Sequence, residues 1–135
     1  MKEIHVVAAI IKDSDNKVLV ARRKMDKSLG GYWEFPGGKI DVNESKEQAI
    51  EREIREEMNI GIHAESYLAT SSHEYDFGIV HLHGMICHLC EGEEKPTEST
   101  DHDAIDWLDR GELFEIDLAP ADIPLVEAMQ NTNKV

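Results

Sequence analysis

Gly38–Ile60, GKIDVNESKEQAIEREIREEMNI, decides how this chain folds. It opens on a glycine turn, carries Glu44, and then gathers charge in Arg52-Glu53-Ile54-Arg55-Glu56-Glu57. Ser45 stands where a helix needs a cap, and Gln48 three residues on completes a capping-box pattern. Ile50, Ile54 and Met58 recur every four residues and mark a buried stripe. At about 100° per residue, Glu53, Glu56 and Glu57 fan over roughly 100° of arc beside that stripe. The helix should stop at Asn59, which tolerates a left-handed cap, with Gly61 close behind.

Three carboxylates on one face repel one another. Such a cluster invites a cation, and carboxylate oxygens suit hard ions such as Mg²⁺, or Mn²⁺ in its place. The bland alternative is a solvated acidic helix. The glycine turn ahead of the helix shifts the weight toward an ion, because a backbone carbonyl at Gly37 or Gly38 can complete a coordination shell.

Working outward, 135 residues suit a single domain, 1–135, with a real core. A formal net charge of −14 disfavours nucleic-acid polymers and anionic membrane surfaces. No apolar run approaches a membrane span, and Met1–His5 enters a strand pattern at once rather than a signal peptide. The expected address is cytoplasmic. Monomer and homodimer are equally open. Cys87 and Cys90 form a lone C-x-x-C in a strand pattern, which points the two thiols to opposite faces and is read as two buried thiols.

Ile4–Ile11 is a β-branched run long enough for a buried central strand, and Val18–Ala21 returns after a turn at Asp13–Asn16, as in a hairpin. Arg22 and Arg23 are either edge charges or substrate contacts. Lys39 is either a phosphate partner or a surface lysine. Ile62–Ser71 and Ile79–Cys90 read as strands separated by a polar turn, His73–Gly78. His81 and His83 share one face, for a structural or substrate-lining role. Glu91–Asp103 is a charged loop, Ala104–Trp107 a short strand and Asp109–Phe114 a helical turn. Ala121–Gln130 is the last helix, with Asp122 as its cap and Pro124 in its first turn.

The spacing of Gly38, Glu44, Arg52, Glu53, Ile54, Glu56, Glu57 and Ile60 resembles the Nudix box, with Asn59 in place of a glycine. Val6–Ile11, Trp33-Glu34-Phe35, His81-Leu82-His83 and Leu118–Leu125 extend the likeness to the MutT branch, and within it to the bacterial CTP pyrophosphohydrolase group. The resemblance implies an α/β fold, a Nudix-type α/β/α sandwich around a mixed β-sheet. It implies hydrolysis of a nucleoside triphosphate to the monophosphate and pyrophosphate. Metal would be held by Glu53, Glu56, Glu57 and a carbonyl of Gly37 or Gly38, while Glu44 and Arg52 brace the loop and helix. Arg23 would face the substrate, with Glu34, Phe35, Pro36 and Gly37 lining its site.

The same resemblance implies a carboxylate that orients or deprotonates the attacking water. Glu53 or Glu56 comes first; Asp101 is the second candidate, with His102 beside it able to share the duty. Asp122 falls where the MutT branch reads the base. As a carboxylate it suits an exocyclic amine, as on CTP, dCTP or modified dCTP; protonated, it suits a purine carbonyl, as in 8-oxo-dGTP. Other readings are a Nudix hydrolase of nucleotide sugars or dinucleoside polyphosphates, and a catalytically silent nucleotide-binding module, against which the full glutamate set argues.

Overall fold

The computed structural model describes residues 1–133 and 135. Seven strands form one mixed sheet: β1 (Glu3–Lys12), β2 (Val18–Arg23), β3 (Trp33–Glu34), β4 (Gly37–Lys39), β5 (Ile62–Tyr75), β6 (Gly78–Leu89) and β7 (His102–Leu108). Two helices cover it, α1 (Lys46–Met58) and α2 (Ile123–Gln130), with 3-10 turns at Arg110–Glu115 and Pro120–Asp122. β1 runs parallel to β6 from Glu3↔Ile79 to Lys12↔His88 and antiparallel to β4, so the sheet is mixed.

The unbroken apolar run of β1 follows from burial on both faces. Val7, Ala9 and Ile11 join Leu19, Ala21, Met85 and Cys87 beneath Ile50, Ile54 and Met58 of α1. The alternate residues Ala8 and Ile10 join Val18, Val20 and Leu82 against Leu125, Val126 and Met129 of α2. This is the expected sandwich. No helix among the described residues is long and apolar enough to cross a membrane.

Several local expectations need correction. β1 and β2 do form the expected antiparallel hairpin, but its ladder is short, at Lys12↔Val18, because β4 pairs along the same flank of β1 and β2 pairs further on with β3 and β7. The supposed turn at His73–Gly78 is strand as far as Tyr75, and only Asp76-Phe77 turns the chain before Gly78. Gly78, at φ 146°, has its missing Cβ position 2.7 Å from the Lys2 carbonyl. Cys87 is buried but Cys90 lies past the end of β6 and is exposed. Asp122 makes no capping bond to α2, since its carboxylate is turned the other way, onto Phe35.

Candidate active site

The carboxylate helix is held at both ends by its own residues. Ser45 Oγ accepts the Gln48 amide at 3.1 Å, and Gln48 Oε1 accepts the Ser45 amide at 2.9 Å. Asn59 sits in the left-handed region at φ 55°, its amide on the Arg55 carbonyl. Fixing the ends fixes the register of the glutamates between them. They do not share one environment. Glu57 is buried with Ile50 and Ile54, Glu53 is half-buried, and Glu56 is exposed.

Arg52 organises the outer carboxylates. Its Nε and Nη2 donate to Glu44 at 2.7 and 2.9 Å, its Nη1 to Glu53 and Glu56 at 2.9 and 3.1 Å, and its Nη2 also to the Lys39 carbonyl at 3.0 Å. The bidentate pairing with Glu44 ties the loop after β4 to the helix, as the resemblance implies. The inner carboxylate is different. Glu57 faces the Asp101 carboxylate, while its Oε2 is buried without a partner. Burial, then the neighbouring Asp101, Glu53 and Glu34 charges, push its pKa up to about 9. Glu53 is also raised, mainly by burial and against the pull of Arg52. Burial raises Asp101 too, but its interactions with Glu57 and Lys27 win and hold it low. Lys27 Nζ lies 3.3 Å from its carboxylate.

A cleft of about 380 Å³ opens on the other side of the glycine strand. Ile4, Val6, Val80 and Leu82 make its floor, Phe35, Tyr75 and Phe77 its aromatic walls. Tyr75 and Phe77 stack at 5.2 Å, 7° from parallel. Arg23, Glu34, Lys39 and Asp122 bring charge to it, and Gly37 and Gly38 form one edge. Gly38 joins the two halves. A Cβ there would stand 2.2 Å from the Glu53 carboxylate, and one at Gly37 would stand 1.9 Å from the Val7 carbonyl. Only glycine lets strand and carboxylate approach so closely.

Asp122 is a buried polar group lining the cleft, 4% exposed, and its Oδ1 accepts the Phe35 amide at 3.0 Å. Burial, then the Glu34 charge, raise its pKa well above the usual carboxylate range, against the Phe35 amide and Arg23. Glu34 Oε2 takes Arg23 Nη1 at 3.1 Å, and Arg23 Nε donates to the Ser28 carbonyl at 2.7 Å.

The structure thus brings Arg23, Glu34, Phe35, Gly37, Lys39 and Asp122 to one cleft and sets Gly38 beside Glu53. It does not bring Pro36 there; Pro36 is buried and its carbonyl accepts the Ala9 amide at 2.8 Å. Arg22 turns away to Asp103 at 2.7 Å and lies over Trp33. His102 is wholly buried, so it has no access to water as a base. His81 and His83 pair with Ser72, Glu3, Thr70 and His5 and do not line this cleft. Tyr75, Phe77 and Lys27 were missed by sequence reasoning. The alternating aromatics at Tyr75 and Phe77 were the available signal, hidden inside a stretch that looked like a turn.

Among the described residues, no three His, Cys, Asp or Glu side chains stand as a closed ligand set, because Arg52 takes up Glu53 and Glu56. The residues nevertheless fit a hard cation. Glu57 Oε2 is a buried oxygen without a partner, and the donor set of Glu53, Glu56, Glu57 and the glycine-strand carbonyls is all oxygen.

The NUDIX domain family matches residues 2–129. An Escherichia coli (strain K12) protein named CTP pyrophosphohydrolase is 41% identical over 128 residues, 95% of this chain and 92% of the relative. The 8-oxo-dGTP diphosphatase of the same strain is 30% identical over 132 residues, 96% of this chain and 98% of that one. The solution structure of MutT, a Nudix hydrolase of methicillin-resistant Staphylococcus aureus 252, superposes with a TM-score of 0.74 at 47% identity, covering 97% of this chain and 98% of that chain. With the box helix, the sandwich and full-length relatives in agreement, the chain belongs to the Nudix family of hydrolases.

Proposed function

We propose that this enzyme hydrolyses nucleoside triphosphates to the monophosphate and pyrophosphate, with a divalent cation, and prefers cytidine nucleotides. The observation that carries the reading is Asp122, a buried carboxylate in an aromatic cleft that runs to the glycine edge beside Glu53. The name of the 41%-identical relative supports the same base. Phe35, Tyr75 and Phe77 supply flat apolar surface for a nucleobase. Asp122 meets its hydrogen-bonding edge, and Arg23 and Lys39 meet phosphate.

Glu53, Glu56 and Glu57, with a carbonyl of Gly37 or Gly38, would hold the cation. The chemistry a bound divalent cation supplies is neutralisation of the polyphosphate and acidification of water. The chain's part is to remove and hold the proton. Glu53 and Glu56 are the first bases, both kept in place by Arg52 Nη1. Asp101 is the alternative: its carboxyl is held below the usual range, and it stands beside Glu57. The second reading is an 8-oxo-dGTP hydrolase. It is favoured by the raised pKa of Asp122, since a protonated Asp122 donates to a purine carbonyl.

The test is a panel of CTP, dCTP, a modified dCTP, dGTP, 8-oxo-dGTP and ADP-ribose with Mg²⁺, with pyrophosphate and phosphate assayed separately. Pyrophosphate chiefly from cytidine nucleotides is the expected outcome. Preference for 8-oxo-dGTP selects the second reading, and turnover of ADP-ribose alone sinks both. Asp122→Asn should shift base preference while sparing cation binding; equal loss on every nucleotide would remove Asp122 from base reading.

A further inference from the structure

His102 is a buried imidazole whose two nitrogens are both committed. Nδ1 lies 2.7 Å from Ser99 Oγ and Nε2 lies 2.9 Å from Glu34 Oε2, across the sheet on β3. A carboxylate only accepts, so Nε2 carries the proton. In the neutral ring Nδ1 then accepts, and the Ser99 hydroxyl donates to it. A register shift in the β2–β7 ladder puts the ring there. Arg22 opposes Ala104 while Arg23 opposes His102, so Asp103 is the extra residue. Asp103 points out to Arg22, and His102 points in to Glu34. Bulges beside active sites commonly re-aim a side chain in this way.

We propose that His102 is a positioning residue of the cleft: clamped by Ser99, it holds the Glu34 carboxylate and so fixes the Glu34–Arg23 pair that meets the substrate. Arg23 Nη1 and His102 Nε2 both end on Glu34 Oε2, so two donors fix one oxygen of a carboxylate that lines the cleft. Without the imidazole, Glu34 keeps one side-chain partner, Arg23 at 3.1 Å, and the pair loses the restraint from the β7 side. A merely structural buried histidine would leave Glu34 and the substrate unaffected once the protein is folded. The inference rests on the cleft being the nucleotide site.

Four variants test it: His102→Leu, which removes the donor; His102→Gln, which keeps one; Glu34→Ala; and the double variant His102→Leu with Glu34→Ala. Steady-state constants are taken on whichever triphosphate the wild type turns over fastest. In parallel, ¹⁵N NMR of the imidazoles is recorded at neutral pH. His102→Leu should raise KM about tenfold with a smaller change in kcat, and His102→Gln should recover most of it. Added to Glu34→Ala, His102→Leu should cost less than about twofold more. The His102 resonance should be that of an Nε2–H tautomer and should move in Glu34→Ala. Multiplying effects, no rescue by Gln, or an Nδ1–H tautomer would overturn the proposal. If His102→Leu does not fold, His102→Gln and the spectrum decide. If the wild type turns over no triphosphate, the cleft reading fails, while the spectrum still tests the His102–Glu34 bond by itself.

Discussion

Glu57 shows how the site opposes stability one residue at a time. It lies on the buried face of α1, it faces Asp101, and one of its oxygens has no partner. Burial first, then Asp101, raise its pKa from an ordinary 4.5 to about 9. A carboxyl raised on folding contributes stability that is complete below its unfolded pKa and is lost as pH rises through its folded one. Between those limits the folded chain holds a proton that the unfolded chain has released, so Glu57 alone should make cation-free stability fall with pH by up to about 1.4 kcal/mol per unit. The raised Asp122 and Glu53 act in the same direction. Urea melts between pH 5 and 9 with a chelator present should show the decline, and Glu57→Gln should flatten it and stabilise the protein at pH 8, while removing most turnover. An unchanged slope in that variant would clear Glu57 of the effect. The sequence made Glu57 visible as one of three box glutamates, but not its separation from the other two. Spacing fixes an angle on the helix; how deep that angle is buried depends on the strands beneath.

The elements that could be read early are those whose determinants are local. The caps of α1 are its own neighbours, Ser45, Gln48 and Asn59, and each behaves as its residue type dictates. Asn59→Ala should therefore cost about 1 kcal/mol, as the left-handed conformation is unfavourable for Ala, while Asn59→Gly should be near neutral in the same denaturation assay. β5 could not be read this way. Register shifts at Ala64/Ser66 and Tyr67/Ala69 break its alternation, and pairing with β6 carries it to Tyr75. Its aromatic end, which walls the cleft, was hidden for that reason. The glycine strand separates fold from function most directly. At Gly37 an added methyl meets the Val7 backbone carbonyl, which cannot move without breaking the β1–β4 ladder. Gly37→Ala should cost about 2 kcal/mol or more. At Gly38 it meets the flexible Glu53 side chain instead. Gly38→Ala should melt within a few degrees of wild type and yet lose about tenfold or more in turnover, as Glu53 is pushed aside. Equal destabilisation by both would refute the distinction.

For the whole molecule, a net charge of −14 and the triphosphate substrate proposed above pull against each other. A bare triphosphate approaching this surface is repelled, and the cations at the cleft, chiefly Arg23 and Lys39, are few. The fold reconciles the two by gathering carboxylates at one place, where a small divalent ion is favoured over any monovalent one. Two contributions to stability follow, and they can be separated. Monovalent salt screens the general self-repulsion and should raise Tm modestly in wild type and in Glu57→Gln alike. Mg²⁺ at matched ionic strength should add a further rise in wild type, equivalent to about 2.7 kcal/mol when the ion is at a hundred times its Kd. In Glu57→Gln that excess should largely vanish, because the buried oxygen without a partner is gone. If Mg²⁺ and monovalent salt stabilise the wild type equally, the acidic helix is only a charged surface, and the assignment of Glu53, Glu56 and Glu57 as ligands falls with it.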